Sequence, residues 1–234
     1  MKLMRQSLIL LAAFISFNLF AREDTLLDSG WKFYQGDADL TNQPIGRAEL
    51  VGTGWQNISV PHCWGQEEAQ AGKINYRGPG WYSRELNIIP QNGKHYFLKF
   101  EAASSVADVY VNGDFIGQHR GAFGAFCFEI TTNLASGTNF LQVRVDNSPQ
   151  KDIAPLKGDF AFYGGLYRPV HLIETEANHF TLTDHGSSGV AWLQTSVNSK
   201  QAQLDVTAQI TGGMNRTQTL MVVASVFDAT GKCI

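Results

Sequence analysis

Apolar positions in this chain recur with the two-residue period of a pleated strand, not the 3.6-residue period of a helix. Residues 96–101 and 106–111 are short apolar-rich runs, and residues 139–147 alternate between apolar and polar side chains. Residues 202–211 form a ten-residue alternation, as expected of a strand with one wet face, and residues 220–227 predict a further strand. Near the start, residues 26–34 predict a first strand bent at Gly30. Asn112-Gly113 directly follows an apolar run, and Phe115-Ile116-Gly117 returns from it. Such a pair predicts a tight hairpin, because a type I′ turn requires positive φ at both central residues. Gly78-Pro79-Gly80 predicts a turn leading into a strand at Trp81, and the Val60-Pro61 step forces extended backbone and ends pairing on its edge. Residues 35–54, 65–75 and 148–158 read as connections, and residues 121–126 as a glycine–aromatic loop. No amphipathic helical pattern follows residue 21, so the expected class is all-β.

One stretch breaks the alternation. Asp159-Phe160-Ala161-Phe162-Tyr163-Gly164-Gly165-Leu166-Tyr167-Arg168 packs four aromatics, a Gly-Gly pair, an acid and a base into ten residues. Adjacent glycines inside an aromatic run predict backbone that turns sharply or is approached where a Cβ would not fit. The stretch is either a loop pinned to a sheet by its own aromatics or a loop that presents Asp159 to a ligand.

Composition narrows the function. With 234 residues the chain is long enough for one large or two small domains. Net charge is −3 with both signs scattered and no basic stripe, which argues against a nucleic-acid partner. Lys2 and Arg5 precede an apolar core at residues 8–15, and Leu19-Phe20-Ala21 gives way abruptly to Arg22-Glu23-Asp24. That is the pattern of a secretory signal peptide over residues 1–21, too short to span a membrane. A periplasmic or secreted protein is therefore expected, with no membrane span.

Candidate chemistry is sparse. Cys63, Cys127 and Cys233 are odd in number and widely spaced, so they are expected to be buried or half-buried free thiols. His62 and Cys63 are neighbours on extended chain and point to opposite faces, which disfavours joint metal ligation. No metal or cofactor is expected. There is no G-x-S-x-G, phosphate-binding loop or dinucleotide fingerprint. Glu67-Glu68 is the obvious carboxylate pair, but it lies in a polar connection and reads as solvated. Trp55, Trp64 and Trp81 read as core or corner packing ahead of sugar stacking. Asn57-Ile58-Ser59 and Asn215-Arg216-Thr217 match the N-glycosylation pattern, which carries little weight without a eukaryotic source.

Six segments in order carry a resemblance: Gly30-Trp31-Lys32-Phe33; Val60-Pro61-His62-Cys63-Trp64; Tyr76-Arg77-Gly78 with Gly80-Trp81-Tyr82; Val109-Tyr110-Val111-Asn112-Gly113 with Gly117 and His119; Gly121-Ala122-Phe123 through Phe126; and Gly164-Gly165-Leu166-Tyr167-Arg168. Together they resemble the N-terminal part of glycoside hydrolase family 2, the β-galactosidase, β-glucuronidase and β-mannosidase family. The Tyr76-Arg77-Gly78 form looks more like the β-galactosidase branch.

The resemblance implies a jelly-roll, galactose-binding-like β-sandwich over residues 22–176, followed from residue 177 to 234 by the start of an immunoglobulin-like β-sandwich. It implies that the catalytic glutamates sit on a downstream barrel, so no catalytic residue is expected here. The chain would form the non-catalytic N-terminal portion of a β-galactosidase-like glycoside hydrolase, with a β-glycoside as its partner in the full-length enzyme and with homo-oligomer contacts as a further role. Residues of such domains that touch substrate correspond to Asp159 and to the position of Arg77, with Asn75 two residues away. The alternative is a free-standing carbohydrate-binding module without catalysis. One expectation concerns processing alone: the mature protein should begin at Arg22, and N-terminal sequencing that found Met1 on the mature form would refute the signal peptide.

Overall fold

The computed structural model describes residues 22–37, 54–73, 75–158, 160–212 and 219–233. Two antiparallel sheets enclose the main core. The larger contains β2 (Trp31–Gln35), β3 (Gln56–Ile58), β4 (Pro79–Ile88), β6 (Val106–Val111), β7 (Asp114–Arg120) and β9 (Gly137–Asp146), in the order β3-β2-β4-β9-β6-β7. The smaller contains β1 (Arg22–Leu26), β5 (Lys94–Phe100), β8 (Phe126–Glu129) and β10 (Val170–Glu176), in the order β1-β10-β5-β8. The predicted first strand is in fact two. Gly30, at φ 77°, turns the chain between β1 in one sheet and β2 in the other. The predicted β-class holds; among the described residues the helical content is one α-turn, α1 (Gln66–Gln70), inside the expected polar connection, and one 3-10 turn at Thr131–Asn133.

Alternation places the inward set. Phe33, Tyr82, Leu86, Val109, Val111, Leu141, Val143 and Val145 come from the larger sheet and meet Tyr96, Leu98, Phe100, Phe126 and Val170 from the smaller. The run at 96–100 is apolar on both faces for a reason. Phe97 points the other way and joins Cys127, Ile173 and Leu182 in a second cluster on the outer face of the smaller sheet. The Asn112-Gly113 hairpin has the predicted geometry, with φ of 53° and 92°. Its Asn112 side chain donates to Asn133 O and Asn139 Oδ1, each at 2.8 Å, and accepts from Phe140 N at 2.9 Å. The turn is thus tied to the fully buried Asn139.

Beyond residue 177 the pairing is looser. β11 (Asn178–Phe180) pairs with β14 (Ile210–Gly212), and β12 (Val190–Val197) pairs with β13 (Ala202–Ala208). The predicted 202–211 strand is therefore split at Gln209. Its N–H donates to Gly189 O at 2.8 Å while its carbonyl accepts from Thr181 N at 2.9 Å, so the backbone changes partner there. Residues 220–226 form no strand, correcting the predicted further one; Phe227 alone makes an isolated bridge, to Cys233. Trp192, Leu204 and Val206 share one face of the β12–β13 ribbon, and Trp192 is 71% exposed. Cys127 is buried and Cys63 half-buried, but Cys233 is exposed, contrary to expectation. Among the described residues no helix is long and apolar enough to cross a membrane. The expected leader, the Asn215 sequon and most of the 35–54 connection lie outside the described residues.

Exposed, thinly bonded backbone opens before a packed core. Limited proteolysis should cut first at the 198–201 turn or within residues 220–227, leaving a resistant product ending near residue 176. Equal protection of both parts would contradict this.

Candidate functional site

The site is built where the aromatic stretch returns to the sandwich. Trp64 and Gly164 form one isolated antiparallel bridge, and Ser104 and Gly165 form another. The close approach foreseen for the glycine pair is real. A Cβ on Gly164 would lie 2.2 Å from the Trp64 indole, and one on Gly165, at φ 124°, would lie 2.6 Å from both His62 O and the Tyr82 hydroxyl. Trp64 cannot swing aside freely, because it is buried and stacks on Phe33 at 5.5 Å.

Tyr82 anchors the next residue. It is 0% exposed, and burial pushes its phenol far above the ordinary range, so it stays protonated. Leu166 N donates to the Tyr82 oxygen at 3.3 Å, and the hydroxyl lies 2.8 Å from His62 Nδ1. The Tyr82 hydroxyl also lies within 3.5 Å of His62 O, so its proton can go to that carbonyl or to an unprotonated Nδ1. Burial lowers the His62 pKa, which agrees with an unprotonated ring. His62 N completes the clasp by donating to Leu166 O at 2.8 Å.

Asn75 and Arg77 lie beside this clasp. Asn75 Nδ2 donates to Phe162 O at 3.1 Å, and Asn147 Nδ2 donates to the same carbonyl at 2.9 Å. Arg77 Nε donates to Asn147 O at 3.0 Å, while its guanidinium carbon sits 4.6 Å from the Phe162 ring centroid. Asn147 Oδ1 accepts from Gly78 N at 2.8 Å. The structure thus brings Asn75 and Arg77 together at the aromatic stretch. Asp159 lies outside the described residues. Arg168 is exposed and lies against the Tyr167 ring, 5.6 Å from its centroid. Asn147, Tyr82 and His62 were not foreseen as a unit. Their only trace in sequence was proximity to the Val60-Pro61 step and to the end of an alternating strand.

Arg77, Asn147, Phe162 and Tyr167 border a pocket of about 470 Å³. Its walls come from the 148–156 loop, the 160–163 run, Ser104, Ser105 and Phe123. Cys63 also reaches this pocket while His62 turns to Tyr82, so the neighbouring pair does diverge. Glu67 and Glu68 sit on α1, with Glu67 exposed and Glu68 half-buried, and offer no facing carboxylate pair. Trp64 and Trp81 are buried, in keeping with the packing role expected of them. No cluster of metal-ligating side chains occurs among the described residues.

A two-sheet antiparallel sandwich with a loop-lined pocket at one end defines a carbohydrate-enzyme accessory domain only in combination with its relatives. Residues 52–176 match the sugar binding domain of the glycosyl hydrolases family 2, and the chain belongs to that family. It is 41% identical over 186 residues to a β-glucuronidase of Bacteroides fragilis, an alignment covering 78% of this chain and 25% of the relative. It is 32% identical over 200 residues to a β-galactosidase of Thermoanaerobacter pseudethanolicus, covering 83% of this chain and 24% of the relative. The crystal structure of a Bacteroides uniformis β-glucuronidase superposes with a TM-score of 0.71 at 36% identity, covering 81% of this chain and 22% of that one. The chain thus spans about a quarter of the length of the curated relatives it matches.

Two outcomes test the clasp. Gly164→Ala should lower stability in urea denaturation by about 3 kcal/mol through overpacking against Trp64. Gly124→Ala, where no atom lies near the added Cβ, should change it by less than about 0.5 kcal/mol. The second outcome concerns pH. Because burial lowers the His62 and His119 pKa values from 6.5, the unfolded state binds more protons than the folded state below that pH. Their stabilising contribution is complete above pH 6.5 and is lost as pH falls through the folded values. Melting temperature should therefore drop on acidification, and His62→Gln should flatten part of that slope. An unchanged slope would show that His62 is not a source of it.

Proposed function

We propose that this chain is the N-terminal, non-catalytic portion of a β-glycoside hydrolase, supporting a catalytic barrel and shaping one wall of its substrate pocket. The observation that carries this reading is the family match over residues 52–176, with alignments that cover about a quarter of each relative. The reading divides the chain into a leader at residues 1–21, a jelly-roll domain at 22–176, and the beginning of an immunoglobulin-like sandwich at 177–234. Pairing of Arg22 with Thr175, which brings the two ends of the first domain side by side, supports the boundary at 176. The leader supports a periplasmic or secreted location. Asp159, Arg77 and Asn75 are the substrate-side residues of the proposal; the pocket that Arg77 lines supports that residue, the bond from Asn75 to the pocket residue Phe162 supports Asn75, and the family resemblance supports Asp159.

A specific observation favours a second reading of the sugar. The 41%-identical relative is a β-glucuronidase, whereas the Tyr76-Arg77-Gly78 form suggested the galactosidase branch. Relative kcat/KM of the full-length enzyme for 4-nitrophenyl β-glucuronide and β-galactoside decides between them.

The purified 234-residue chain should hydrolyse neither substrate above a mock preparation. In the full-length enzyme, Asp159→Ala should raise KM about tenfold, the scale of losing one charge-assisted hydrogen bond, without changing the melting temperature. Turnover by the isolated chain would overturn the domain reading. A lowered melting temperature with unchanged kinetics would make Asp159 structural only.

A further inference from the structure

The pocket at the loop end has a chemistry that the glycosidase reading does not by itself assign. Most of its polar wall groups are already committed within the protein. Asn147 spends its oxygen on Gly78 N and its nitrogen on Phe162 O. The Tyr167 hydroxyl donates to Ala122 O, and Ser105 Oγ donates to Asp146 O at 3.2 Å. Gln150 Oε1 accepts from Arg120 at 3.2 Å. What these groups leave facing the space is largely carbon, from Ile153, Leu156, Phe160 and Phe123.

Arg77 is the exception. Among the described residues lining the pocket it alone is charged. Its Nε is held by Asn147 O and its plane by the Phe162 ring, which fixes the fork without using the two terminal nitrogens. Among the described residues no carboxylate pairs with it. Arg77 is an exposed guanidinium held at its neck; its outer N–H groups, without a hydrogen bond to the described residues, match a planar oxyanion bidentately. The facing wall is held too. Arg120 Nη2 reaches Asp152 Oδ1 and Oδ2 at 2.8 and 2.9 Å, and that pair ties the 148–156 loop to β7. At about 470 Å³ the space suits a small organic molecule.

We propose that this pocket binds a flat, apolar organic monoanion, with its anionic group on the terminal nitrogens of Arg77 and its body against Phe160, Leu156 and Ile153. The pocket is the one the proposed function assigns to the substrate side, but the anion preference is read on this chain by binding and the glycosidase reading by turnover of the full-length enzyme, so the two can fail separately.

The test is calorimetric titration of the whole chain with naphthalene-2-carboxylate and with the neutral naphthalene-2-carboxamide. The carboxylate should bind about tenfold more tightly than the amide, the scale of one charge-assisted contact. Arg77→Gln should erase that difference while keeping amide binding. Leu156→Asp should weaken both, the carboxylate more. Trp192→Ser, on the exposed ribbon far along the chain, should change neither. Equal wild-type affinities, no binding of either probe, a preference that survives Arg77→Gln, or loss of binding in Trp192→Ser would each overturn the proposal. If Arg77→Gln loses both probes, Leu156→Asp decides. A larger loss for the carboxylate supports the site, and an equal loss or none overturns it.

Discussion

The loop end of this sandwich depends on one buried phenol. Tyr82 stands at the middle of the aromatic cluster, with ring centroids of Phe33, His62, Trp31 and Trp64 between 4.9 and 6.4 Å away. Its ring belongs to the core, while its hydroxyl is the only side-chain partner that holds Leu166 N–H from the sheet side. Leaving a buried donor such as Leu166 N–H unpaired costs about 1–3 kcal/mol. The hydroxyl therefore does two things at once. It gives the buried Leu166 N–H a partner, and it sets where the aromatic stretch re-enters the fold. The glycine pair follows from this, because backbone brought that close to Tyr82 and Trp64 leaves no room for a side chain.

From that fixed point the polar contacts spread outward. Phe162 O accepts from Asn75 and Asn147, and Asn147 also ties Gly78 and Arg77 to the same spot. Residues separated by about seventy positions in sequence are thus locked to one carbonyl and one ring. Loops on a rigid scaffold are where binding groups are usually carried, and here the scaffold is the pair of sheets. The pocket inherits its shape from that lock and from the 148–156 loop, which the Arg120–Asp152 pair ties to β7.

Much of this architecture was legible in the sequence, and the residues show why. Period-two alternation marked β6 and β9, and Asn112-Gly113 marked its turn, because each signal is local. Gly164-Gly165 announced a close approach but not to what; Trp64 and Tyr82 are ordinary aromatics until the chain brings them there. Residues 220–227 show the opposite failure. Their composition favours a strand, yet pairing needs a neighbour that local sequence does not specify. The break at Gln209 was invisible for the same reason, since only the positions of Gly189 and Thr181 decide where the backbone changes partner. Of the candidate site, Arg77 and Asn75 came from family likeness, while Asn147 emerged only from the three-dimensional arrangement.

The pairing of β1 with β10 carries a consequence for the chain that follows it. Arg22 lies opposite Thr175, and Leu26 opposite His171. Residues 22 and 175 are therefore adjacent, at the end of β10 away from the 160–168 loop. A seven-residue strand spans roughly 20 Å, so the loop end stands about that distance from them. Chain that leaves β10 there soon returns to the sandwich: Leu182 packs on Phe97, Cys127 and Ile173 of the smaller sheet, and a Cβ on Gly186 would meet Phe126 N at 3.1 Å. The segment after 176 thus roofs the outer face of that sheet, and its loss would wet side chains that the alternation of β5 and β10 turns outward.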